Sequence, residues 1–246
     1  MVTKRDHSLT REGIENAEEL HALWKSKCGR QSELPVDLVS LRDVTTERLE
    51  EGFAQVDIAF SSPLTRAVQT AQIVLRDHVA VEKRGIVLLR TAREIKRALS
   101  LDTVGKACGS DIPVRARDLL ARVVGVEAAR RLSAPVDIYD CVSAWHTLPQ
   151  AIDTEGDVQR RMFDLMCTLR FMSFRTAVLV GHSLFLQALF RIFSSEEFKA
   201  TRPHLADALI SSKLSNSACI CIMIDFTRGA QIVDVRPVFG TRLPDA

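Results

Sequence analysis

Hydrophobic and polar positions along the chain switch between a helical and a strand period. Ile14, Ala17, Leu20, His21 and Trp24 recur at helical spacing and predict a one-sided helix from about Arg11 to Lys27. Thr10 is placed to cap it, with Leu9 and Ile14 at the positions of a hydrophobic staple. A polar loop with Pro35 follows, then a short helix over about 47–53. Residues 56–60 (Val-Asp-Ile-Ala-Phe) read as a buried strand running into Ser61-Ser62-Pro63. There Ser62 can cap, and Pro63 can open a helix through Arg66, Ala67, Thr70, Ala71 and Val74. A second strand candidate covers 86–89.

Between about 95 and 151 the pattern weakens, with Gly, Pro and basic residues around helical stretches near 116–124. This stretch is expected to be an inserted cap within one domain spanning 1–246. Regular rhythm then returns. A helix is expected over 154–171 and a fully buried strand over 176–180, ending at Gly181-His182-Ser183. The helix over 184–193 is apolar nearly all round. Strands over 218–226 and 231–235 are expected to finish the sheet. Strands alternating with helices predict an α/β fold, a mostly parallel sheet with helices on both faces.

Composition changes this picture little. A chain of 246 residues, 46% hydrophobic and 26% charged, can bury a large core. The formal net charge of +2 gives no global attraction to nucleic acid or to a membrane. Residues 82–131 hold twelve Lys/Arg against six Asp/Glu, which predicts a solvated helical surface or, more sharply, a lid that attracts an anion. The cysteines Cys28, Cys108, Cys141, Cys167, Cys219 and Cys221 form no CxxC pair, so reduced structural thiols are expected. Cys219 and Cys221 alternate as residues on one strand face would. The charged N-terminus predicts no signal peptide and no apolar run reaches a bilayer's width, so a cytoplasmic protein is expected.

Chemistry concentrates at two strand ends, where such sheets bind ligands. Arg66 falls in the first turn of its helix, where the macrodipole disfavours a cation. A bound anion would satisfy both the free helix amides and the guanidinium fork. The plainer reading is a surface arginine in a salt bridge. His182 follows directly on an apolar strand, and alone would be read as a hydrogen-bonded structural histidine. The two junctions should converge on one edge of the sheet, which favours a functional reading of both.

These residues resemble the histidine phosphatase (phosphoglycerate mutase-like) superfamily. Asp57-Ile-Ala-Phe-Ser61-Ser-Pro-Leu-Thr-Arg66-Ala-Val-Gln69-Thr-Ala71 is similar to its second-strand signature, and Val178-Leu-Val-Gly181-His182-Ser183 to its late histidine motif. Asp6-His-Ser-Leu9-Thr10-Arg-Glu-Gly13 looks like the segment shortly after the family's opening strand. Arg93-Glu94-Ile95 resembles the stretch supplying the proton donor, and Lys213-Leu-Ser-Asn216-Ser the start of a late strand. The resemblance implies a three-layer sheet with a helical cap, and a phosphomonoester hydrolase working through a phosphohistidine. Its substrate would be a phosphorylated small molecule or a phosphoprotein. Arg66 and His182 would grip the phosphoryl oxygens and Glu94 would act as general acid. Cationic side chains would neutralise the oxyanions, so no metal or cofactor is implied.

The nucleophile implied is a histidine in an Arg-His-Gly motif ending the first strand, and this sequence has no such motif. Five residues precede Asp6, and His7 lies before the capped start of the first helix, so it is not expected to replace it. The expectation is a domain lacking its central first strand, with two unpaired neighbours, inactive as written. Two alternatives follow. One is a pseudoenzyme that binds a phospho-ligand or partner. The other is an esterase with Ser183 as nucleophile, which Phe185 in place of a glycine and the lone downstream His204 oppose.

Overall fold

The computed structural model describes residues 5–27, 44–97, 101–145 and 152–243. Helices α1 (Arg11–Lys27) and α2 (Thr46–Gly52) lead to strand β1 (Ile58–Ser61). Next come α3 (Thr65–Leu75), α4 (Val79–Arg84) and β2 (Ile86–Leu88), then α5 (Asp111–Val124), α6 (Val126–Leu132) and the short β3 (Val136–Asp137). Helix α7 (Glu155–Phe171) precedes β4 (Ala177–Val180). After α8 (Ser183–Phe193), α9 (Glu196–Thr201) and α10 (Pro203–Ser211), β5 (Cys219–Asp225) and β6 (Gln231–Val238) form a hairpin. Pro35 and Cys28 lie outside the described residues.

The first four strands make a wholly parallel sheet in the order β3-β2-β1-β4. Alternate residues feed two cores, because successive side chains point to opposite faces. Ala59, Ile86 and Leu88 pack with α1, α3, α5 and α6, whereas Ile58 and Phe60 pack with α7, α8 and α10. Helices therefore cover both faces, as the alternating pattern predicts.

Local chemistry explains the joints. Thr10 Oγ1 accepts the Gly13 amide at 3.2 Å, as expected of the cap on α1. His21 and Trp24 on the buried face of α1 both donate to the Val74 carbonyl, at 2.9 and 2.7 Å, and tie α1 to α3. Gly85 stops α4 at a φ of 70°, and a Cβ there would meet the Pro135 carbonyl oxygen at 3.1 Å, so β2 lies close against the chain entering β3. Thr154 and Asp157 form a reciprocal capping box on α7.

Three expectations need correction. The helix after β1 begins at Thr65, two residues later than Pro63, and Leu64 is its N-cap. Ser62 does not cap it; its Oγ accepts the Leu64 amide at 3.3 Å within the turn. β5 and β6 do not finish the parallel sheet: they form their own antiparallel pair, and among the described residues the one bridge beyond it joins Ile232 of β6 to Ser194. The two-residue β3 was too short to show a period, yet it extends the sheet edge. The stretch expected as a cap contributes that strand and two flanking helices. These are fastened to α3 by Gln69 Nε2 donating to the Ala116 carbonyl at 2.7 Å and Gln72 Nε2 to that of Ala134 at 2.9 Å.

β5 is not hydrogen-bonded to β4 among the described residues. Val178 and Val180 of β4 pack on the same core as Cys219, Cys221 and Met223 of β5. Leu179 packs on the opposite core together with Ile220, Ile222 and Ile224. The two strands thus contribute to the same two cores, yet among the described residues no ladder joins them. All seven residues of β5 are partly exposed although most are apolar. Cys219 and Cys221 do share one strand face.

Candidate functional site

The parallel register sets Ser61 opposite Val180, so β1 and β4 end side by side. The Ser62 amide extends the ladder to the Val180 carbonyl at 2.9 Å. Two turns leave this edge, one into α3 and one into α8. Gly181 lets the second turn pass close to Phe185: a Cβ there would lie 3.0 Å from the ring, which would have to shift by a few tenths of an ångström.

Both helices start without a capping side chain of their own, since Leu64 and His182 occupy the N-cap positions and neither makes a side-chain cap bond. The exposed first-turn amides still need acceptors. Two remote carboxylates supply them. Asp6 Oδ1 accepts the Thr65 amide at 2.8 Å, and its Oδ2 accepts that of Lys106 at 3.2 Å. Glu94 Oε1 accepts the amides of Phe185 and Ile95, each at 2.9 Å, and Oε2 that of Leu184 at 3.4 Å. Each carboxylate thus sits where a helix dipole favours negative charge.

The sequence-selected residues meet here. His182 is buried, and its Nε2 lies 2.8 Å from Ser62 Oγ. Burial pulls this imidazole well below its ordinary value of 6.5, and the positive charges of Arg66 and Arg161 push it the same way. The ring is neutral at physiological pH, and a hydroxyl proton donated to Nε2 suits that state. Arg66 is partly buried and donates from one terminal nitrogen to the Asp102 carbonyl at 2.9 Å. Burial lowers its pKa, opposed by the negative charges of Glu94, Asp102 and Asp6. Glu94 moves the other way: burial raises it above 4.5, while the amides it accepts and the Arg66 charge hold it down. Arg66, His182 and Glu94 are therefore one electrostatic cluster at the carboxyl end of two adjacent strands.

Other residues belong to the cluster without having been singled out. Asp6 is almost fully buried at a left-handed φ of 47°, with its Oδ2 3.5 Å from Arg115 Nε. No periodic pattern marks a residue whose partners are 59 and 100 positions away. Arg161, on the buried side of α7, donates to the Arg93 carbonyl at 2.9 Å. His7 is exposed, with Nδ1 3.0 Å from the Ser8 carbonyl oxygen. Ser183 Oγ is buried and has no hydrogen-bond partner, so no imidazole activates it, and His204 is exposed on α10. Among the described residues no group of three or more His, Cys, Asp or Glu side chains could hold a metal ion, and no helix is long and apolar enough to cross a membrane.

No family model matches the chain, and no curated protein or solved structure matches it.

Proposed function

We propose that the chain carries the phosphoryl-gripping part of a histidine phosphatase-type site on a phosphoglycerate mutase-like fold. The reaction would be hydrolysis of a phosphomonoester, on a small molecule or a phosphoprotein, in a cytosolic setting. The observation that carries the reading is the 2.8 Å contact between His182 and Ser62, which brings the Arg66 turn and the histidine turn onto one site. Arg66 would bind phosphoryl oxygens through its fork, and His182 would donate to another once an anion raises its proton affinity. Glu94, its pKa already raised by burial, would protonate the leaving oxygen.

A nucleophile is still required. A strand seated between β4 and β5 would end beside Gly181-His182, and a histidine there could attack phosphorus as the bond to the leaving oxygen breaks. Water would then cleave the phosphohistidine. Without such a strand the chain should bind phosphate and not turn over.

A binding-only reading has its own support. Three amides hold the Glu94 carboxylate as the cap of α8 and the start of its own loop, a structural task that competes with proton transfer. The test is an aryl phosphate assay on the chain extended by a strand ending in Arg-His-Gly. Turnover that falls by about 100-fold in Arg66→Ala and in His182→Ala supports the enzyme. Phosphate binding without turnover supports the binding protein. Failure to bind phosphate at all ends both.

A further inference from the structure

A cavity of about 860 Å³ lies between α7 and the β2 side of the sheet, lined in part by Leu89, Arg90, Thr91 and Arg93 just past the end of β2. That is within the range of small-molecule sites. Val87 and Leu89 of the sheet contribute apolar walls, Trp145 adds an aromatic edge, and α7 presents Arg161 and Thr168 from one face. Arg161 is the residue this space shares with the strand-end cluster.

Two polar groups lining it are buried without hydrogen-bond partners: Arg161, through Nε and one terminal nitrogen, and Thr91, through Oγ1. The Arg161 side chain is only 10% exposed. Its nearest carboxylate, Asp153, stands 3.6 Å away and is already engaged by Arg93 through two bonds of 2.6 and 2.9 Å and by the Lys96 amide. One carboxylate therefore faces two guanidinium groups, with Glu94 and Asp157 adding longer-range attraction to Arg161. A cation that shares its counter-charge in a low-dielectric wall is costly, and an anion entering the cavity would relieve it. At the rim Arg90 is paired with Asp140, so it does not compete for that anion.

The geometry points to a second ligand site here, for an aromatic phosphomonoester of about nucleotide size. Its anionic group would meet Arg161 and Thr91, and its ring would lie on the apolar wall near Trp145. Arg161 bonds the Arg93 carbonyl beside Glu94, so occupancy of this cleft would be felt at the strand-end cluster.

The experiment is calorimetric titration of the whole chain with adenosine 5′-monophosphate and with 1-naphthyl phosphate, followed by Trp fluorescence. At least one should bind saturably below about 1 mM. Arg161→Gln should weaken it by about tenfold or more, and the near-isosteric Thr91→Val by about threefold, while Arg66→Ala leaves it in place. Thr91→Val tests the site even if the arginine variant folds poorly. Absence of saturable binding by both probes overturns the proposal. So does binding that survives both cleft substitutions, or that is lost in Arg66→Ala alone, which would assign it to the strand ends.

Discussion

The Asp6 carboxylate closes the start of α3 by accepting the Thr65 amide at 2.8 Å, across 59 residues of chain. It thereby does for α3 what the local residue Leu64 cannot. Its other oxygen holds the Lys106 amide and faces Arg115, so one buried group joins the N-terminal arm, α3 and the segment before α5. Removing it strands two amides and a partly buried guanidinium. Asp6→Ala should lower stability by about 2–4 kcal/mol. Asp6→Asn should lose less, since it keeps one acceptor and tolerates the left-handed backbone. Urea unfolding of both variants checks the order, and a harmless Asp6→Ala would show that α3 needs no remote cap.

Glu94 is the corresponding group for α8. Glu94→Gln retains an acceptor but loses the charge that favours the helix N-terminus, so a loss of about 1–2 kcal/mol is expected. Amide exchange at Leu184 and Phe185 should quicken in the variant. If both amides remain as slow as in the parent, the carboxylate is not what holds the start of α8.

Much of this was readable from the sequence, for identifiable reasons. α1 falls on its expected bounds because Ile14, Ala17, His21 and Trp24 keep one period and Thr10 marks the start. The strand-to-helix turns at Ser61–Arg66 and Gly181–Ser183 could be found because an apolar run ends abruptly in polar residues. What the pattern could not carry was long range or very short. Asp6 and Glu94 act on helices far away in sequence. β3 has two residues, and the failure of β5 to join β4 depends on pairing, which no single strand encodes. Ser62 was misread for a related reason: its hydroxyl serves the turn and His182, and local capping rules do not anticipate a partner 120 residues away.

The charge on Arg66 bears on both of its neighbours. It lowers the proton affinity of His182 and helps to hold Glu94 ionised. Arg66→Met should therefore raise the pKa of each. A ring-proton NMR titration of His182 in parent and variant provides the measurement. An unchanged His182 would mean that the two groups do not share a site.

Three buried histidines set the acid limb of stability. Burial lowers His21, His78 and His182 from 6.5. Below that pH the unfolded chain takes up protons that the folded chain refuses, so the folded state loses ground as pH falls from 6.5 toward each folded value. Each histidine contributes a slope of at most about 1.4 kcal/mol per pH unit. Glu94, raised by burial, works in the opposite sense at lower pH, since its folded form binds the proton first. Urea midpoints between pH 7.5 and 6 should fall with pH, less steeply in His182→Gln. A midpoint flat across that window would mean that these rings titrate normally in the fold.

The unpaired edges of β4 and β5 among the described residues predict an unusual pattern of exchange. β1 is paired on both sides, by β2 and β4, so its amides are held in ladders throughout. Among the described residues β4 is paired only by β1, and β5 only by β6. In a strand with one neighbour, alternate amides point to the open side, where water can reach them. Hydrogen–deuterium exchange resolved by NMR should therefore show slow amides across β1, and alternating slow and fast amides along β4 and β5. Uniform protection in the chain alone would mean that these edges are already covered.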